Sequence, residues 1–270
     1  VETPFASRVA VSRPAQSFVQ DPTRRFSSRV DNYVRFRPGY PKEIIALLVT
    51  ECRLTPDSII ADIGSGTGKL TELFLENGNA VFGIEPNREM REAGERLLKQ
   101  FPKFTSVAST AEDTTLLDVS VDFITAGQAF HWFDRERCRK EFARILKPGG
   151  WTALVWNDRK TETTPFLIAY ENLLKTYATD YSKVDHKQID DAVVQDFFGC
   201  RPAKKMIPSS QEFDFEGLKG RLLSSSYAPE AGQPGHTEML HDLEKLFNAH
   251  QKNGRVQFIY DTVVYYGKLT

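Results

Sequence analysis

Between residues 44 and 155 the chain alternates short apolar runs with stretches whose apolar positions recur at helical spacing. Residues 59–61 (Ile-Ile-Ala) read as a buried strand, and Lys69 to Glu76 as the start of a helix. Residues 81–87 read as a second strand, 104–109 as a third, and the apolar run after Asp122 as a fourth. Strands alternating with helices predict an α/β fold with a doubly wound, mostly parallel sheet. Residues 255–269 are rich in β-branched and aromatic side chains, as a long strand should be. Between these regions, 164–176 reads as a helix and 213–223 as a strand end running into another. Residues 236–250 form a third, with Met239, Leu240, Leu243, Leu246 and Phe247 on one core-facing stripe.

The turn after the first strand carries the chemistry. IIADIGSGTGKLT places Gly64, Gly66 and Gly68 between a strand and a helix, where bare peptide groups can approach a ligand. A P-loop would need glycine at Ile63 and Ser or Thr at Leu70. The dinucleotide fingerprint would need its third glycine at Lys69, one residue later than Gly68. What remains is Asp62 followed by GSGTG, which resembles the first motif of class I S-adenosylmethionine-dependent methyltransferases. The second strand ends in Glu85, about twenty residues on, where a ribose-binding acid belongs in a nucleoside-binding βαβ unit. Pro86 and Asn87 then open a helix with Met90 in its first turn.

Further motifs extend the resemblance. Ala111 and Glu112, after the third strand, match the small residue and acid that lie beside adenine in that family. The segment GQAFHWFD, with Gly127, Gln128, His131 and Trp132, resembles methyltransferases of type 11 grouped around trans-aconitate methyltransferase, in which it lines the cofactor and substrate cavity. FARILKPGGWTALVWND, residues 142–158, looks like the family's helix, turn and fifth strand, with Pro148 and Gly149 stopping the helix. DNYVRFRPGYP, residues 31–41, looks like the signature that folds over the cofactor. The resemblance covers residues 28–160 in order, and 255–270 more loosely. It implies a Rossmann-like seven-stranded sheet with an antiparallel last strand and a helical cap insertion. It also implies S-adenosylmethionine as cofactor, S-adenosylhomocysteine as product, and no metal. The expected cofactor residues are Tyr33, Arg37, Asp62, Gly64, Ser65, Gly66, Gly68, Glu85, Pro86, Met90, Ala111, Glu112, Gly127 and Gln128. Tyr40, His131, Trp132 and Tyr227 are expected on the acceptor.

One methyltransferase domain over residues 1–270 is the organisation expected. Residues 1–40 would form a tail and lid, 41–160 the cofactor core, 161–253 the cap insertions with the sixth strand, and 254–270 the terminal strand. Residues 1–25, polar and holding Pro4, Pro14 and Pro22, read either as disordered or as wrapping the core. Residues 222–229 are the most pocket-like piece of the cap, with a plain capping turn as the alternative. Whether residues precede Val1 stays open.

Composition narrows the partners. A formal charge of −1 from 35 basic and 36 acidic residues provides no general field for nucleic acid. No apolar run approaches a membrane span. Cys52, Cys138 and Cys200 lie far apart without CxxC pairing, which suggests neither zinc nor a disulfide framework. Buried thiols in a reducing compartment, hence a cytoplasmic protein acting on a small molecule, are the expectation.

A carboxylate acceptor would attack the sulfonium methyl without losing a proton, anchored by Arg37 or Arg35. A hydroxyl, amine or activated carbon would need a base, for which His131 is the candidate; the alternative is that His131 only orients its loop. Two other readings compete: a nicotinamide-dependent oxidoreductase, and a non-catalytic S-adenosylmethionine-binding protein. The acceptor itself and the oligomeric state are not legible.

Overall fold

The computed structural model describes residues 29–179 and 190–270. The expectation for residues 1–25 therefore lies outside the described residues. Seven strands form one sheet: β1 (Ile59–Ile63), β2 (Ala80–Ile84), β3 (Phe104–Val107), β4 (Val121–Gly127), β5 (Leu146–Arg159), β6 (Ala203–Phe213) and β7 (Val256–Gly267). Their spatial order is β3-β2-β1-β4-β5-β7-β6. The first five are mutually parallel, and β7 runs antiparallel between β5 and β6. This is the Rossmann-like, mostly parallel sheet with an antiparallel last strand expected from the motifs.

Helices cover both faces because strands buried on both sides need apolar partners on both sides. On one face, α2 (Glu43–Cys52) and α3 (Lys69–Glu76) bring Ile44, Leu48, Leu70 and Phe74 onto Ile60, Phe123 and Val155. On the other, α5 (Arg135–Ile145) brings Cys138, Phe142 and Ile145 onto Ile124 and Leu154. Two helices flank these: α1 (Val30–Phe36) near the chain start, and α4 (Arg88–Leu97) after β2. The start of α4 follows from its cap, since the Asn87 side chain accepts from Met90 N at 2.8 Å.

The cap consists of α6 (Pro165–Tyr177), α8 (Phe215–Leu223) and α9 (His236–His250), while α7 (Asp191–Phe198) joins the α5 face. The cap has its own core, in which Phe258 lies 4.9 Å from Tyr170 and 5.3 Å from Phe166, edge to face. Phe258 and Tyr260 belong to the first half of β7. Because β7 is antiparallel, that half lies beside Arg159 at the carboxyl end of β5. The cap thus stands over the carboxyl edge of the parallel strands.

Helix α5 stops at Ile145, ahead of the turn that holds Pro148 and Gly149, and Leu146 already pairs with Val121. The residue before a proline is pushed out of the helical region, so the chain turns extended early. Residues 147–150 bulge out before Trp151 pairs with Phe123.

Candidate functional site

In the sheet order, the chain leaves β1 toward β2 and β3 on one side, and leaves β4 toward β5 on the other. In open α/β sheets the crevice at such a switch point, beyond the carboxyl ends, is where ligands bind. A cavity opens there. Its floor is Asp62, Gly64, Ser65, Gly66, Thr67 and Lys69 after β1, with Gly127 and Gln128 ending β4. One wall is His131 and Trp132, continued by Asn157, Asp158 and Arg159 from β5. The roof is Tyr33, Arg37 and Tyr40 from the N-terminal segment, with Arg221, Ser226, Tyr227 and Tyr260 from the cap.

The loop takes its shape from glycines. Gly64 has φ +67°, and a Cβ there would sit 2.5 Å from that of Ala129, so the β1 and β4 loops touch backbone to side chain. Asp62 is buried beneath the loop. Its carboxylate accepts from the hydroxyls of Thr71 at 2.6 Å and Thr125 at 2.9 Å. Burial outweighs both bonds and pushes Asp62 up to about 6.

Glu85, buried at the end of β2, accepts from Gly66 N and Asn87 N, each at 2.8 Å. Burial raises its pKa, and the two amide bonds oppose that rise. One carboxylate thus ties the glycine loop to the α4 cap and keeps acceptor capacity for a ligand, since a carboxylate has about four lone-pair sites.

The N-terminal segment bridges loop and cap. Lys69 Nζ donates to Val34 O at 3.0 Å, Asn157 Nδ2 to Gly39 O at 3.0 Å, and Arg37 Nη2 to Ser224 O at 3.1 Å. Val30, Tyr33 and Val34 of α1 pack on Met90 and Ala93 of α4. Arg29 donates to the carbonyls of Ser225 and, at 2.8 Å, Ala228, satisfying groups beyond the end of α8. Tyr40 is held above Gly127, where a Cβ would meet its hydroxyl at 2.5 Å. Burial raises the Tyr40 pKa well above its ordinary value, so the phenol stays protonated.

Of the residues singled out from sequence, Tyr33, Arg37, Tyr40, Asp62, Gly64, Ser65, Gly66, Gly127, Gln128, His131, Trp132 and Tyr227 converge on this cavity. Glu85 and Met90 reach Gly66 from behind the loop: the amide bond of Glu85 is one contact, and Met90 Cε would lie 3.3 Å from a Gly66 Cβ. Gly68, Pro86, Ala111 and Glu112 are not on its wall. Gly68 faces Leu98, whose Cδ1 would lie 2.5 Å from a Cβ. Glu112 accepts from Asp134 N at 2.9 Å and so braces the start of α5, while Ala111 is buried in the core on that face. Arg35 is exposed. His131 lies in a 3-10 turn, Phe130–Trp132, its ring 4.7 Å from that of Trp132.

Sequence reasoning missed Lys69, Asn157, Asp158, Arg159, Arg221 and Tyr260. Position at a strand's carboxyl end was an available signal for Asn157 and Asp158. No local signal marked Arg221, which resembles any basic residue on an amphipathic helix.

Residues 61–154 match the family model described as a methyltransferase domain. An uncharacterized methyltransferase of Mycobacterium tuberculosis is 39% identical over 140 residues, 52% of this chain and 55% of that one. An uncharacterized methyltransferase of Schizosaccharomyces pombe is 36% identical over 153 residues, 56% and 59% of the two chains. The matches thus span little more than half the length of these curated relatives. Among solved structures, a putative type II methyltransferase from Anaeromyxobacter dehalogenans superposes with a TM-score of 0.63 at 20% identity, covering 87% of this chain and 98% of that one, a likeness of fold.

Proposed function

We propose that this chain, whose residues 61–154 match a methyltransferase-domain model and whose sheet is Rossmann-like, transfers the methyl group of S-adenosylmethionine to a small-molecule acceptor. The observation that carries the reading is the cavity at the β1/β4 switch point, floored by the glycine loop and roofed by Arg37. The residues present fit the cofactor. Arg37 Nε is buried and without a partner, suited to a carboxylate. The Gly66 backbone is bare beside Met90, suited to an adenosine face, and Glu85 lies behind it with capacity for ribose hydroxyls.

When bound, S-adenosylmethionine supplies an electrophilic methyl on a sulfonium. The protein then has chiefly to position. Tyr33 and Arg37 hold the methionyl end, and Asp62 keeps the loop in place through Thr71 and Thr125. The N-terminal segment excludes water from above. Tyr40, Trp132 and Tyr227 orient the acceptor, and such positioning can contribute roughly 7–11 kcal/mol. For an acceptor that loses a proton, His131 on the same wall is the group to take it. No group of metal-ligating side chains occurs among the described residues, and none of their helices is long and apolar enough to cross a membrane. Free Cys52, Cys138 and Cys200 accord with a cytoplasmic setting.

Calorimetric titration with S-adenosylhomocysteine, with NADH as control, tests the reading. Micromolar binding is expected, weakened about tenfold or more by Glu85→Ala, which removes a charge-assisted acceptor. Preference for NADH, or no binding of the sulfur nucleoside, would sink it.

A further inference from the structure

Among the described residues, the buried and half-buried arginines near the cavity come in two kinds. Arg159 pairs with Glu171 at 2.6 Å, and Arg29 with Glu230 at 3.3 Å. Arg37 and Arg221 both line the cavity, and among the described residues neither has a carboxylate within ion-pair distance. Arg221 is 6% exposed, yet its Nε has no partner and its Nη1 reaches only Ser225 Oγ at 3.4 Å. Its guanidinium lies 5.9 Å over Phe258 and hydrogen-bonds with Tyr260; against the lowering effect of burial, Tyr260, Tyr170 and Tyr227 raise its pKa above the ordinary value, so the group stays charged. It stands between Leu218 and Leu222 on the buried side of α8, where a leucine would satisfy packing alone. Hydroxyls solvate this charge but no carboxylate neutralises it among the described residues, so an arriving anion would find a buried cation without a counter-ion. The two guanidiniums also feel each other, since burial and then the Arg221 charge lower the Arg37 pKa.

A methionyl carboxylate brings one negative charge and can satisfy one of the two arginines. Arg37 lies on the segment that contacts the glycine loop, through Lys69 and Val34. Arg221 belongs to the cap helix α8, and no hydrogen bond of its own ties it to the glycine loop among the described residues. Asp62 on the floor is committed to Thr71 and Thr125, and Asp158 lies at the end of β5.

We infer that Arg221 is a specificity-determining residue that binds an anionic group, a carboxylate or a phosphate, on the methyl acceptor, while Arg37 serves the cofactor. The inference rests on the methyltransferase reading and deepens it. An anion on the acceptor would complement the positive charge of a sulfonium cofactor as well as that of the arginine. The hydroxyls of Ser226 and Tyr227 on the same wall supply further donors to it.

The test is calorimetry on the full chain saturated with S-adenosylhomocysteine, using citrate, inorganic phosphate and neutral triethyl citrate as probes. Citrate or phosphate should bind the wild type, the stronger of the two identifying the anion, and triethyl citrate should not. Arg221→Gln should weaken anion binding by roughly tenfold or more, while S-adenosylhomocysteine affinity changes by less than about threefold. Arg37→Gln should show the reverse pattern. Arg221→Lys, which keeps the charge and loses the planar fork, should fall between and serves where the glutamine variant does not fold. Equal anion binding by wild type and both Arg221 variants would overturn the inference. So would binding of triethyl citrate as tight as citrate, or loss of S-adenosylhomocysteine binding in Arg221→Gln matching that in Arg37→Gln. Failure of S-adenosylhomocysteine to bind the wild type is a separate result, which overturns the methyltransferase reading itself.

Discussion

Gly220, inside α8, is the contact that lets α1 dock on the cap. A Cβ built there would lie 2.1, 2.3 and 2.7 Å from Cε2, Cδ2 and Cζ of the Phe36 ring. Gly220→Ala therefore sets two effects against each other. Alanine in a helix interior is favoured over glycine by about 1 kcal/mol. Overpacking against a rigid ring costs about 1–3 kcal/mol. The ring belongs to a seven-residue helix held by a few hydrogen bonds, so the cheapest relief is for α1 to lift from α8. Global stability should change little, because helix propensity offsets much of the strain. S-adenosylhomocysteine should bind about 5- to 150-fold more weakly, because Tyr33 and Arg37 move with α1 and the overpacking energy appears as lost affinity. Urea denaturation and calorimetry measure the two quantities. A double-mutant cycle adds a check: in a Phe36→Ala background the ring is gone, and Gly220→Ala should no longer weaken binding. Unchanged affinity in the single variant, or the same loss in both backgrounds, would refute the account.

Other expectations follow from single contacts. Asp62 titrates near 6 rather than near its ordinary 3.8, so the folded state prefers the neutral acid, and this contribution is complete below the ordinary value and lost as pH rises through about 6. Between about pH 4 and pH 7 the stability of the wild type relative to Asp62→Asn should fall by on the order of 2–3 kcal/mol, and parallel denaturation profiles would refute it. Gly68→Ala forces a side chain into a φ of +84° and against Leu98; it should destabilise by about 2–4 kcal/mol in chemical denaturation, and wild-type stability would contradict the packing. Arg29→Met strips the donors from the carbonyls of Ser225 and Ala228. Amide exchange at residues 223–228 should accelerate by about tenfold or more, with the β1 and β4 amides unchanged; uniform acceleration would mean that the contact supports the whole fold.

Local chemistry made much of the architecture legible. The 236–250 helix was readable to the residue from its apolar stripe, and the α4 start from Asn87, because periodicity and capping depend on near neighbours. The glycine loop and Glu85 could be matched across a short interval, since a βαβ unit sets their distance. The end of α5 at Ile145 accords with Pro148 and Gly149 as helix stops, because a proline keeps the chain before it extended. Glu112 matched a motif, and in the fold its carboxylate accepts from Asp134 N.

Sequence by itself determined that strands are interspersed with helices from β1 to β5, and which turn holds the glycine loop. Only the tertiary structure decided the rest of the site. Asn157 reaches Gly39 across 118 residues, Arg37 reaches Ser224 across 187, and Gly220 accepts Phe36. Such pairs leave no periodic trace, since each member is ordinary on its own helix or strand. They meet because β7 runs antiparallel and carries the cap back over the carboxyl edge, which puts a buried Arg221 beside Arg37. Burial and proximity, the two causes that give a charged side chain its chemistry, are properties of the folded chain.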